Sequence, residues 1–126
     1  MGKKNIEQVA AEDGRFDPRA LKFVFEGLGQ TIEKLRQEED IEQHRHITGA
    51  ELAWGLAEVA KKRWGRLAAM VLNYWGIKTT RDWGEIVYLM IRHEWMTSQD
   101  TDRIEDFDAV YDFPQVFEKN YHIEIK

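Results

Sequence analysis

Hydrophobic positions along this 126-residue chain recur with the period of helices over most of its length. Leu21, Val24, Phe25, Leu28, Ile32 and Leu35 fall on one stripe and predict a helix over residues 17–37. Its start is marked by Phe16-Asp17-Pro18. Asp17 serves as N-cap, and Pro18 takes the first helical position, where a missing N–H costs nothing. Phe16 staples onto Leu21. Gly27 and Gly29 weaken this helix and mark an expected close approach of another backbone. It runs out in the acidic turn Gln37-Glu38-Glu39-Asp40, whose charges oppose the helix dipole. Thr48-Gly49-Ala50-Glu51 is a capping box, with Ile47 stapling onto Leu52, and opens a second helix over 49–64. That helix is expected to bury Leu52, Ala53, Leu56, Val59, Ala60 and Trp64, and to stop at Gly65 in the left-handed conformation. A third helix over 66–75 is expected to bury Leu67, Met70, Val71 and Tyr74 or Trp75, with Gly76 as its stop. A fourth, capped by Thr79 or Thr80, covers 80–95 with the inner stripe Trp83, Ile86, Val87, Met90 and Ile91.

Beyond Trp95 the helical period is lost. Thr97–Asp102 reads as a polar turn, and Ile104, Phe107 and Val110-Tyr111 read as a hairpin strand. Phe113–Phe117 suits one helical turn, and Tyr121–Ile125 alternates like a short edge strand. A further short strand is expected at 43–47, and residues 1–14 read as mobile or weakly helical. A helix, a tight turn, a helix and an acidic hairpin in that order make a winged-helix-like core over 48–112. The expected fold is therefore mainly α: one domain over 1–126, with an added N-terminal helix, short C-terminal β-hairpin strands and a tail at 113–126.

Charge changes this picture because of where it lies. The net charge is −5, with 7 basic and 10 acidic residues over 1–43, 8 and 5 over 44–96, and 3 and 8 over 97–126. The middle is mildly basic and the end strongly acidic. An acidic end repels phosphate and attracts basic partners, or simply keeps the chain soluble. With no cysteine, disulfides, thiolate nucleophiles and Cys-based zinc sites are excluded. Met1-Gly2-Lys3-Lys4 leads into polar sequence with no apolar core, so no signal peptide is expected. Ile6 breaks the myristoylation pattern that Gly2 suggests. No apolar run reaches membrane-spanning length, and a cytoplasmic location is the expectation.

Five blocks of the chain resemble an uncharacterised family of conserved hypothetical proteins of planctomycete and verrucomicrobial bacteria. They are Asp13–Ala20, His46–Gly49 with Glu51-Leu52, Leu72–Ile77, Asp82–Val87 and Val110–Phe113. The resemblance spans roughly residues 13–117. Trp83 stands where the family has Phe. The resemblance implies a native single-domain bacterial protein and carries over no activity and no functional residue.

Candidate chemistry is sparse. His44 and His46 form an H-x-H pair that, with His93 and Glu94, offers a metal site; no metalloprotease-type spacing accompanies them. Of the hydroxyl residues, Thr48 and Thr79 or Thr80 are caps, and Ser98 lies in no nucleophile elbow. No phosphate-binding glycine loop is present. No catalytic, cofactor or metal residue is therefore assigned. Two surfaces remain. Arg81, Glu85, Tyr88, Arg92 and Trp95 fall on the outer stripe of the fourth helix and are rich in the residue types that anchor protein interfaces; alternatively the aromatics are core. Lys61, Lys62, Arg63, Arg66, Lys78 and Arg81 suit phosphate contacts, although Asp82 and Glu85 at the leading edge of the would-be recognition helix oppose DNA. The reading is a non-enzymatic protein-binding module with a protein partner, no cofactor and no membrane; its oligomeric state is left open. A winged-helix nucleic-acid binder is the alternative, and a small enzyme or metal protein comes third.

Overall fold

A computed structural model describes residues 5–39, 47–96 and 103–119. Five helices carry the fold: α1 (Ile6–Asp13), α2 (Pro18–Glu39), α3 (Gly49–Trp64), α4 (Ala68–Tyr74) and α5 (Thr80–Arg92). The chain is mainly α. Residues 43–46 of the strand expected at 43–47, the turn at 97–102 and the edge strand at 121–125 lie outside the described residues, and Ile47 is in no strand.

The starts of the helices follow from their caps. Asp17 accepts the Arg19 N–H at 2.9 Å, opening α2 one residue before Pro18. At α3 the Thr48 hydroxyl accepts the Glu51 N–H and the Glu51 carboxylate accepts the Thr48 N–H, at 3.1 and 3.0 Å. The Asp82 carboxylate holds the backbone N–H groups of Lys78 and Thr79 ahead of α5. α1, in a stretch expected to be mobile or weakly helical, is opened by a reciprocal Asn5–Gln8 capping box and buries Val9 and Ala10.

The core is a run of aromatic rings crossed by small residues. Trp64 and Trp75 meet edge-on at 5.2 Å, and Phe23 contacts both and reaches Trp83 at 5.9 Å. Trp83 continues to Phe113, and Phe113 to Phe117 at 5.0 Å. Such contacts add to the area these rings bury. α2 approaches α3 closely because Gly27 lies under Leu56 and Gly55 lies under Thr31. Gly27 thus makes the close approach expected of it, while Gly29 faces open space. At the end of α4, Gly76 has φ +96, and a Cβ there would run into the Arg15 carbonyl. Beside it the Asp17 N–H donates to the Trp75 carbonyl at 3.1 Å. The α1–α2 corner is thereby fixed to the α4–α5 corner.

Several expectations are corrected. In α2, Phe23 is buried in place of Phe25, which is 49% exposed. The third predicted helix is a 3-10 turn over Gly65–Leu67 followed by α4; Ala68 and Leu72 of α4 and Trp75 just after it are buried, while Leu67 just before it, Met70 and Tyr74 face outward. Gly65 has positive φ but a ψ of −129, outside the left-handed helical well. α5 ends at Arg92, short of Trp95. The hairpin and winged-helix details are not supported: among the described residues there is no strand. Ile104–Phe107 is a 3-10 turn, and Gln115–Lys119 a single wide helical turn. The physical reason is Phe107. Its ring sits over Gly84 of α5, where a Cβ would come within 2.7 Å of it, and against Gly49 of α3. One buried ring fills the α3–α5 crevice, and a strand there has no sheet to join.

Candidate functional site on the outer face of α4

The residues singled out on α5 are largely engaged within the molecule. Glu85 accepts from Arg15 at 2.9 Å and from Arg81 at 3.1 Å. Arg15 also grips Asp13, and Arg81 also grips Asp108 at 2.8 Å. The result is a chain of charges, Asp13–Arg15–Glu85–Arg81–Asp108, joining the end of α1, α5 and the turn after Ile104–Phe107. Hydrogen bonds from Arg15 hold the Asp13 and Glu85 carboxyls below their ordinary range, with Arg81 adding to the effect on Glu85. The same bonds hold the Arg15 guanidinium charged, and Asp108 with Glu85 does so for Arg81. Tyr88 and Trp95 are half-buried against the core, and Arg92 is exposed.

A second internal tie is polar and buried. The Trp83 indole donates to the Tyr111 hydroxyl at 2.9 Å, and Tyr111 donates to the Ala53 carbonyl at 2.8 Å. Burial pushes the Tyr111 phenol pKa upward, so it stays a donor. The Thr80 hydroxyl accepts the Val110 N–H at 3.1 Å. These bonds fasten the C-terminal segment across α3 and α5.

α4 offers the contrast. Leu67, Met70 and Tyr74 are 55%, 61% and 80% exposed, at positions i, i+3 and i+7 along one face. Large side chains aligned outward over two turns form a contiguous apolar stripe, unlike scattered surface hydrophobics. The helix takes this orientation because Leu72 and Trp75 enter the core and Ala68 lets the backbone approach closely. The charges of the segment that carries it are of one sign. From Val59 to Arg81 the chain holds six basic residues and no carboxylate. Arg63 lies over the Phe23 and Trp64 rings and 3.6 Å from Glu26, and Arg81 is taken by Glu85 and Asp108. Lys62, Arg66 and Lys78 are exposed and have no ion-pair partner among the described residues.

Elsewhere the chemistry is thin. A groove of about 1120 Å³ separates parts of α2 and α3, lined by Lys34, Trp54, Glu58 and Lys61 among others. The Lys34–Glu58 ion pair spans its walls, and the buried Thr31 hydroxyl at its floor is pressed against Gly55. His44 and His46 lie outside the described residues, and His93 stacks on Trp95 at 5.9 Å. Among the described residues no three potential metal ligands converge, and no helix is long and apolar enough to cross a membrane. No family model, curated protein or solved structure matches the chain, so the reading rests on this geometry.

The α4 stripe was legible only as core. Two signals pointed outward: Ala68 and Leu72 already supply an inner face, and the carboxylate-free run sets 59–81 apart from an otherwise acidic chain.

Proposed function

We propose that this chain is a non-enzymatic protein-binding module, an adaptor or subunit of a larger bacterial assembly, and that it binds through the outer face of α4. One observation carries the reading: Leu67, Met70 and Tyr74 stand exposed in line, and Lys62, Arg66 and Lys78 along the same stretch of chain have no ion-pair partner among the described residues. A well-packed stripe contributes binding energy only when a partner covers it, which is how interface anchors act. The outer stripe of α5 fits this role less well, because Glu85 and Arg81 are engaged by Arg15 and Asp108.

The nucleic-acid alternative draws on Lys61, Lys62, Arg66 and Lys78. Against it, the start of α5 presents Asp82 beside a neutralised Arg81, and the segment expected to be a wing is a compact turn bearing Glu105, Asp106 and Asp108. The test is affinity capture from lysate of the source organism, with and without nuclease, comparing the natural chain with a Leu67→Ser/Met70→Ser/Tyr74→Ser variant. Nuclease-resistant proteins recovered by the natural chain and lost from the variant support the module. Recovery that disappears with nuclease favours the alternative. Equal recovery by both chains removes α4 from the reading.

A further inference from the structure

The charge around the stripe narrows the partner. We infer that the α4 face docks an acidic amphipathic helix of another protein, with two or three large apolar side chains on one face and carboxylates beside them. This rests on the protein-binding reading and goes further by naming the partner's chemistry.

Three observations support it. First, the stripe runs over eight residues, Leu67 to Tyr74, about 10 Å at helical rise, which matches apolar anchors spaced i, i+3 or i+4, and i+7 on a partner helix. Second, the chain segment that carries the stripe is uniform in sign, and the one carboxylate placed at its end, Asp17, is taken by Arg19. No carboxylate occurs between Glu58 and Asp82, and the exposed cations Lys62, Arg66 and Lys78 are not neutralised by ion pairs among the described residues. An approaching acidic helix gains attraction along the whole stretch, and a basic one is repelled. Third, the same charge disfavours a second copy of this chain. Symmetric pairing of α4 with α4 brings Arg66 and Lys62 of one copy against those of the other. Pairing α4 with an acidic region of the next copy does not close on itself and leads to open chains.

The test uses the full chain and three fluorescein-labelled 14-residue peptides. All share Leu and Phe at i, i+3, i+4 and i+7; the remaining positions are mostly Glu in one, Gln in the second and Lys in the third. The Glu peptide is expected to bind at least tenfold more tightly than the Gln peptide, to weaken with salt, and to exceed the Lys peptide further. Lys62→Glu/Arg66→Glu should remove the Glu peptide's advantage over the Gln peptide. Met70→Ser/Tyr74→Ser should weaken both, with an unchanged melting temperature showing that the fold persists. If Glu and Gln peptides bind equally and the serine variant loses both, the acidic partner is refuted and the docking face stands. If no peptide binds, both readings fall. Vesicles of phosphatidylglycerol or a 20-base-pair DNA duplex serve as competitors. Binding of either through Arg66, with the Glu peptide unbound, overturns the inference, as does self-association abolished by Met70→Ser/Tyr74→Ser.

Discussion

α4 and α5 are neighbours in sequence and opposites in environment. α5 buries Thr80, Trp83, Gly84, Ile86, Val87, Leu89 and Met90, so it is covered on most sides. Two of its charged residues, Arg81 and Glu85, hold other segments in place. α4 buries only Ala68 and Leu72 within its seven residues, and turns its larger side chains outward. Both helices carry apolar residues in helical register; α5 adds charges of its own, whereas α4 has none and its nearest cations lie outside it. What separates them is whether the side chains have partners within the fold. On α5 Arg81 and Glu85 are matched and Trp83 is packed, with Arg92 exposed at its end. At α4 the apolar stripe is exposed, and the nearby cations Lys62, Arg66 and Lys78 have no ion-pair partner among the described residues.

Trp83 is fully buried, contacts Phe23 and Phe113, and donates to Tyr111. Trp83→Ala should lower stability by about 3–5 kcal/mol, the usual range for removing a large core aromatic. Urea unfolding measures it. A loss under about 1 kcal/mol would mean that the aromatic run is not the centre of the fold.

Gly84 sharpens the contrast at smaller cost. A methyl group there meets Phe107, and Phe107 is backed by Gly49 of α3, so the ring has little room to retreat. Gly84→Ala should destabilise by about 1–3 kcal/mol from overpacking, less about 1 kcal/mol regained in helix propensity. Phe107→Ala together with Gly84→Ala separates the two contributions. If crowding is the cause, adding Gly84→Ala costs far less when Phe107 is already alanine.

These two positions also mark what the sequence could and could not reveal. α2, α3 and α5 are legible because their starts carry chemistry: Asp17-Pro18, Thr48 with Glu51, and the Thr79-Thr80 pair, of which the structure selects Thr79 with Asp82 as its partner. α1 had the same kind of signal in Asn5 and Gln8, obscured by its few apolar residues. Phe107, Val110 and Tyr111 mimicked a strand, because isolated rings at irregular spacing look alike whether they line a sheet or plug a crevice. Gly49 and Gly84, far apart in sequence, make that crevice, and spacing along the chain gives no hint of their meeting. The face of α4 was misjudged because Leu, Met and Tyr outweigh Ala in any hydrophobic count, whereas packing here favours the small residue.

The charge chain gives a prediction with a pH sign. The Asp13 and Glu85 carboxyls have folded pKa values below their unfolded ones. Their contribution is therefore full above the unfolded carboxylate range, about pH 4–5, and is lost as pH falls through the folded values. Glu85→Gln should cost about 1 kcal/mol at pH 7, with solvent screening at this partly exposed site limiting the loss. Its stability should also fall less steeply than that of the natural chain between pH 5 and about 2. Parallel melting curves for the two chains across that window would show that Glu85 is not part of the linkage.

The smallest expected effect is on α4, and its smallness is the point. Tyr74 is 80% exposed, and Met70 stands beside it at 61%. Surface substitutions away from caps, core and ion pairs usually change stability by no more than about 0.5 kcal/mol in either direction. Tyr74→Ser should fall inside that range, and Met70→Ser likewise. Urea midpoints and slopes for both variants provide the check, with Trp83→Ala as the reference for a residue the fold needs. A loss above about 2 kcal/mol for Tyr74→Ser, approaching that of a buried aromatic, would mean that the ring is covered within the monomer, and α4 would join α5 as an inward-facing element. A near-zero change leaves a tyrosine, a methionine and a leucine aligned at a surface where they contribute little to folding. Their worth must then be sought in what binds them.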